Sequence, residues 1–158
     1  MPAGLGANVY PQLSHVGIVV ANMDEADRDA AARFGLPHLV RRATLQFPDT
    51  LYRGTRVSFA AIFAYVELGN TSFELIQPIG SDVSPYRDVL VERGESLHHV
   101  AYVVPSIEQR LAAARQAGAP ASIVVDGKIP DGQGRFVYVE GLLHGALVEL
   151  LELTEPGR

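Results

Sequence analysis

Two histidines and two glutamates in this chain share an unusual setting: each lies inside an apolar run suited to a β-strand, and each has a counterpart further along. His15 sits in Leu13-Ser14-His15-Val16-Gly17-Ile18-Val19-Val20, and His99 sits in Leu97-His98-His99-Val100-Ala101-Tyr102-Val103-Val104. Glu74 lies in Thr71-Ser72-Phe73-Glu74-Leu75-Ile76, and Glu149 in Ala146-Leu147-Val148-Glu149-Leu150-Leu151. Two imidazoles with two carboxylates form a ligand set for one divalent metal ion of the Mn, Fe, Co, Ni or Zn type. A lone histidine in a strand is more often a core or surface residue. A glutamate inside Phe-Glu-Leu-Ile is harder to dismiss, because a carboxylate buried without a partner costs several kcal/mol. Strand alternation offers a second reading in which both glutamates face solvent. Against it, Leu147, Glu149 and Leu151 share a face that is clearly apolar, and Ser72, Glu74 and Ile76 share one that is not clearly polar. The repetition of both residue types favours His15, Glu74, His99 and Glu149 as metal ligands.

The elements around these residues repeat as well. Asn22 precedes Glu25 by three residues and Ser106 precedes Gln109 by three, so both pairs fit a capping box at a helix start. Helices are expected over Met23 to Phe34 and Ile107 to Ala117, with Gly35 and Gly118 as left-handed stops. Further strands are expected over Arg41 to Gln46, Val57 to Leu68, Ala121 to Val125 and Phe136 to Glu140. Each half therefore reads β-α-β-β-β, with the first half longer in the Thr44–Ala64 region. The expected domain is residues 12–153: module one 12–78, a linker 79–96 with a short helix over Asp88 to Arg93, and module two 97–153. The fold class is α+β, two tandem βαβββ modules forming a cupped mixed sheet around a metal site.

Composition narrows the function. With 158 residues and 47% hydrophobic content, one domain can bury a sizeable core. The absence of cysteine excludes disulfides, iron–sulfur clusters and thiolate zinc sites. A net charge of −5 argues against nucleic acid as a partner. Met1 to Tyr10 lacks the pattern of a signal peptide, no apolar run is long enough to span a bilayer, and a cytoplasmic protein is the default. The tail after Thr154 is expected to fray.

Other candidates carry blander readings. His98 precedes His99 and by alternation points to the other side of its strand, in a structural or ligand-supporting role. His38 and His144 read as loop or surface residues. Arg53, Arg56 and Arg135 could meet anionic groups, although surface arginine is the commoner role.

The octets around His15 and His99, together with Glu74-Leu75-Ile76-Gln77-Pro78-Ile79-Gly80, Arg93-Gly94-Glu95-Ser96-Leu97-His98-His99 and Gly145-Ala146-Leu147-Val148-Glu149-Leu150, resemble the vicinal oxygen chelate superfamily. That group includes glyoxalase I, extradiol dioxygenases, bleomycin-binding proteins and methylmalonyl-CoA epimerase. The resemblance spans roughly residues 12 to 153 and is closest to the epimerase branch. It implies a homodimer and a small-molecule substrate with adjacent chelating oxygens. It also implies enolate stabilisation by the metal, acting on a carboxylate or acyl-CoA thioester, with Glu149 or Glu74 as proton-transfer base. The epimerases carry a further glutamate where this chain has Tyr52 or, in another alignment, Ser58. That departure weakens a two-base epimerisation and makes Tyr52 a candidate proton donor. Alternatives are a glyoxalase-I-like lactoylglutathione lyase, a dioxygenase, which a fourth ligand disfavours, and a non-enzymatic antibiotic-binding protein, which retention of all four ligands disfavours.

Overall fold

The computed structural model describes residues 12–154. The readings of Met1 to Tyr10 and of the tail beyond Thr154 lie outside them. The order is β1 (Gln12–Val19), α1 (Met23–Phe34), β2 (Val40–Tyr52), β3 (Thr55–Glu67), β4 (Ser72–Ile79), α2 (Pro85–Arg93), β5 (Ser96–Val103), α3 (Ile107–Gln116), β6 (Ser122–Ile129), β7 (Gly134–Leu143) and β8 (Ala146–Leu153). Both βαβββ units are present, and β2 and β3 run 13 residues each against 8 and 10 for β6 and β7.

The eight strands hydrogen-bond in the order β1-β4-β3-β2-β6-β7-β8-β5 and close on themselves. The expected cup is thus a barrel, closed by a short β2–β6 ladder in which Leu51 pairs with Asp126 and Tyr52 with Val125. The sheet is mixed: β1–β4 and β5–β8 are parallel and the other pairs antiparallel. The β2–β3 ladder extends past the expected strands because Arg53 and Gly54, at φ 50° and 78°, form a tight two-residue hairpin.

Helices α1 and α3 cover the outside. Asn22 caps α1 by accepting from the amides of Asp24 and Glu25, and Ser106 caps α3 by accepting from Gln109. The reciprocal arms expected from Glu25 and Gln109 do not form. Instead the first amide of each helix is held from the last strand of its own unit: Met23 N donates to Gln77 Oε1 at 2.7 Å and Ile107 N to Glu152 Oε2 at 2.8 Å. Gly35 ends α1 in the left-handed region, as expected. α3 ends at Gln116 with Ala117 as its cap, so the left-handed Gly118 stands one residue beyond.

Both faces of the central strands are therefore buried. Leu75 joins Val20, Met23, Ala64 and Val66 beneath α1, while Val148 and Leu150 join Ile107, Leu111 and Val137 beneath α3. The barrel interior is aromatic, with Phe47, Phe59, Phe63, Phe136 and Tyr138 packed around Tyr86. Tyr86 comes from α2, which starts at Pro85 behind the cap Ser84 rather than at Asp88. What reads as a linker thus delivers a fully buried side chain to the core.

The middle of the barrel is the antiparallel β1–β5 pair, where His15 stands opposite Ala101 and Gly17 opposite His99. Each imidazole faces a small residue across the ladder. A Cβ on Gly17 would lie 2.1 Å from His99 Cε1, so the glycine is required by steric contact rather than by backbone angle. Overpacking of this kind costs about 1–3 kcal/mol. Gly17→Ala should lower the melting temperature accordingly and displace the His99 ring, read by thermal denaturation beside metal uptake. An unchanged melt and unchanged uptake would show that the ring has room to spare.

Candidate metal centre

The repeat places the four predicted ligands on four adjacent strands. His15 comes from β1, Glu74 from β4, His99 from β5 and Glu149 from β8, and Glu74 pairs with Gly17 as Glu149 pairs with Ala101. Both glutamates face the barrel interior at 6% and 5% exposure, which excludes the solvent-face reading; His15 and His99 are equally buried.

One donor atom from each residue falls within 4.8 Å of the others. His15 Nε2 lies 3.2 Å from His99 Nε2, 3.2 Å from Glu74 Oε2 and 3.1 Å from Glu149 Oε2. His99 Nε2 lies 3.1 Å from Glu149 Oε2 and 3.6 Å from Glu74 Oε2. A cation with bonds of about 2.1 Å holds neighbouring ligand atoms about 3.0 to 3.4 Å apart, so the spacing suits a single ion. Glu149 Oε2 is buried with no aligned hydrogen-bond donor, an orphan that a cation would satisfy. The nitrogen and oxygen donor set and the orphaned oxygen both fit a divalent metal.

Bare of metal, the cluster would neutralise itself with protons. Burial opposes the His15 imidazolium, but bonds to Glu149 and Glu74 outweigh it and push the group up to about 10. Burial likewise opposes the Glu74 carboxylate, and the two imidazoles hold it well below the ordinary range. His99 is raised and Glu149 lowered by the same mutual attraction acting against burial.

Tyrosines break the pseudo-symmetry around the carboxylates. Tyr65 on β3 stands opposite Glu74, and Tyr138 on β7 stands opposite Glu149. Tyr65 donates to Glu74 Oε1 at 2.7 Å, and burial with the nearby negative charge keeps its hydroxyl protonated. Tyr138 instead pairs with the Tyr86 hydroxyl at 2.6 Å and lays its ring against His99 at 4.8 Å between centroids. One glutamate is clamped and the other is not. Sequence reasoning missed all three tyrosines. The signal available was a tyrosine in the third strand of each module.

His15, Glu74 and Glu149 line a cavity of about 250 Å³ with Arg41 and Tyr65; the carboxylates on its wall are Glu74 and Glu149. Arg41 lies 4.2 Å over the Tyr65 ring and pairs with Glu67. His99 and Tyr138 also border a cavity of about 490 Å³ on the other side, where Tyr52, Arg53 and His144 are found. Tyr52 is outside the four-residue cluster, and its hydroxyl donates to Asp88 Oδ2 at 2.8 Å. Of the arginines singled out in the sequence, Arg135 is taken up by Asp126 and Glu108, and Arg56 binds the Asp49 carbonyl. Arg41, which the sequence did not single out, is the one beside the ligands. His38 is exposed and pairs with Asp27, and His144 occupies the β7–β8 turn, as read. His98 departs from its reading: a break in strand alternation places its ring inside, against Tyr86 and Tyr138.

A family profile for the glyoxalase/bleomycin resistance protein/dioxygenase superfamily matches residues 14–139. The chain belongs to that superfamily. Solved structures agree on the superfamily fold. A methylmalonyl-CoA epimerase from Mycobacterium tuberculosis aligns with TM-score 0.65 at 20% identity, over 96% of this chain and 94% of that one. A hypothetical protein from Bacillus halodurans gives 0.64 at 23% identity, over 93% and 97%. A Streptomyces coelicolor methylmalonyl-CoA epimerase variant in complex with 2-nitronate-propionyl-CoA gives 0.61 at 19% identity, over 92% and 99%. No curated protein matches in sequence. At these identities the structural likeness establishes the fold. No helix among the described residues is long and apolar enough to cross a membrane.

The titrations give a signed prediction for metal-stripped protein. The lowered Glu74 supplies stability that is present above its ordinary 4.5 and lost as pH falls. The raised His15 supplies stability that is full below its ordinary 6.5 and lost as pH rises towards about 10. Thermal stability in chelator should therefore peak between about pH 4.5 and 6.5 and decline towards pH 10. Metal uptake expels those protons and should tighten over the same rise. Chelated protein that keeps gaining stability from pH 6.5 to 10 would contradict the ion-paired cluster.

Proposed function

We propose that the protein is a metal-dependent isomerase, epimerase-like in ancestry, that moves a proton next to the carbonyl of a carboxylate or acyl-CoA thioester. Residues 12–153 act as one unit, because the ligands come from both modules. The observation carrying this reading is the unequal treatment of the two glutamates: Tyr65 holds Glu74, while Glu149 Oε2 has no aligned hydrogen bond and Tyr138 is committed to Tyr86.

His15, His99 and Glu74 are the residues that would hold the ion, with Glu149 as a fourth ligand able to leave. A divalent ion there supplies Lewis-acid stabilisation of the enolate oxygen formed on proton loss. Glu149, whose Oε2 is held by no aligned hydrogen bond, would take the acidic proton on its carboxylate and give it back. Glu74 stays in place because the Tyr65 hydroxyl and the Arg41 guanidinium hold that wall of the cavity. Phe63 and Phe136 give the cavity an aromatic wall beside these groups. Arg41 also offers a positive charge near the cavity for an anionic part of the substrate. Tyr52 would act as a donor from the opposite cavity only after releasing Asp88.

A second reading starts from the same observation. The cavity wall offers only one unclamped carboxylate, which suits a proton shuttle between adjacent carbons, as in a glyoxalase-I-like lyase.

Metal-loaded protein incubated with methylmalonyl-CoA in D₂O should exchange the α-proton, followed by NMR, and Glu149→Gln should slow this about a hundred- to ten-thousand-fold. Absent exchange would remove methylmalonyl-CoA as the substrate, and exchange independent of metal would remove the ion from the reaction. Turnover of the methylglyoxal–glutathione hemithioacetal would then favour the second reading.

A further inference from the structure

The β1–β5 ladder contains two irregularities, and each inserts one unopposed residue just before a ligand histidine. Leu13 pairs with Tyr102 and His15 with Ala101, so Ser14 has no partner; Ile18 pairs with Leu97 and Gly17 with His99, so His98 has none. Neighbouring side chains on an unbroken strand point to opposite faces, and a bulge re-aims them. Both His98 and His99 consequently pack on Tyr138, at 5.2 and 4.8 Å between ring centroids. Each unopposed residue then meets the outer nitrogen of the following histidine. Ser14 Oγ is 3.0 Å from His15 Nδ1, and His98 Nδ1 is 2.9 Å from His99 Nδ1.

The protons follow from the far side of His98. Its Nε2 faces the Pro85 carbonyl, on α2, at 3.3 Å. A carbonyl only accepts, so Nε2 carries the proton. His98 is 4% exposed, and its neighbours are that carbonyl, the His99 ring and the rings of Tyr86 and Tyr138. None of these is an anion, and the Glu149 carboxylate whose charge reaches His98 is already shared by His15 and His99, so a second proton on His98 would be poorly compensated. Neutral His98 therefore has a bare Nδ1, which accepts from His99 Nδ1–H. In neutral His99 that leaves Nε2 as the bare nitrogen, and Nε2 is the atom within 3.2 Å of His15 Nε2 and 3.1 Å of Glu149 Oε2.

We propose that His98 is a positioning residue for the metal centre: the chain from the Pro85 carbonyl through His98 to His99 fixes the tautomer that presents His99 Nε2 as a ligand. Ser14 is its counterpart in module one, but a hydroxyl both donates and accepts, so it steadies the His15 ring without selecting a tautomer. Through this chain α2, which supplies no ligand, helps to prepare the site. The inference rests on the metal reading above.

Zinc affinity, measured by competition with a chromophoric chelator, separates the outcomes. His98→Leu removes the acceptor and should weaken binding about 10- to 100-fold, the usual effect of losing a partner behind a ligand. His98→Gln can accept from His99 through its carbonyl and donate to Pro85 through its amide, and should keep most of the affinity. Circular dichroism of the metal-free variants checks folding. Nitrogen-15 NMR of the zinc-loaded wild type should show a proton on His99 Nδ1 with scalar coupling across to His98 Nδ1, a readout that holds even where the leucine variant fails to fold. Unchanged affinity in folded His98→Leu, or the shared proton residing on His98 Nδ1, would overturn this inference alone. Wild-type protein that takes up no zinc would overturn the metal reading and this inference with it.

Discussion

Two carboxylates and two imidazoles packed into one apolar barrel must be satisfied by one another's charges or by a shared cation. That constraint organises the structure. Each glutamate is nearly sealed from water, and burial of an uncompensated carboxylate costs more than most single packing contacts return. The chain meets the cost by drawing the four groups to one point, from four strands, across the boundary between two repeated units. His15 and His99 then share both carboxylates, and the remaining mismatch is Glu149 Oε2, which faces both imidazoles without an aligned hydrogen bond.

The repeat supplies this convergence and also its limits. Small residues recur opposite each histidine, Ala101 for His15 and Gly17 for His99, and the same two residues neighbour Glu149 and Glu74 on the other side. Gln77 and Glu152 recur as the residues that tie each outer helix to the last strand of its unit. The symmetry fails where α2 enters. Tyr86 captures the Tyr138 hydroxyl, so only Tyr65 reaches its glutamate. A segment outside both repeats thus makes two equivalent carboxylates inequivalent.

Much of this was legible in the sequence, for identifiable reasons. His15 and His99, and Glu74 and Glu149, recur in strand-like runs, and strand periodicity survives in a one-dimensional reading. The capping residues Asn22 and Ser106 announce their helices locally. Contacts between distant segments left weaker traces. Tyr86 sits in a stretch that reads as a linker, Arg41 reads as a strand-edge charge, and the closure of the barrel rests on Leu51 and Tyr52 meeting Asp126 and Val125. His98 was misplaced because alternation assumes an unbroken ladder, and a bulge is a property of two strands rather than one. Tyr52 stood out only by its place in the family pattern, and its hydroxyl bonds an aspartate on α2.

The proposed chemistry depends on both modules gripping one cation through two imidazole nitrogens and two carboxylates. X-ray absorption at the metal edge of cobalt-loaded protein tests it most directly, with metal content measured on the same sample. One cobalt per chain is expected, with a first coordination sphere in which two imidazoles contribute, dropping to one in His15→Ala and in His99→Ala alike. Cobalt bound without stoichiometry, or a sphere of oxygen alone that neither substitution changes, would contradict it.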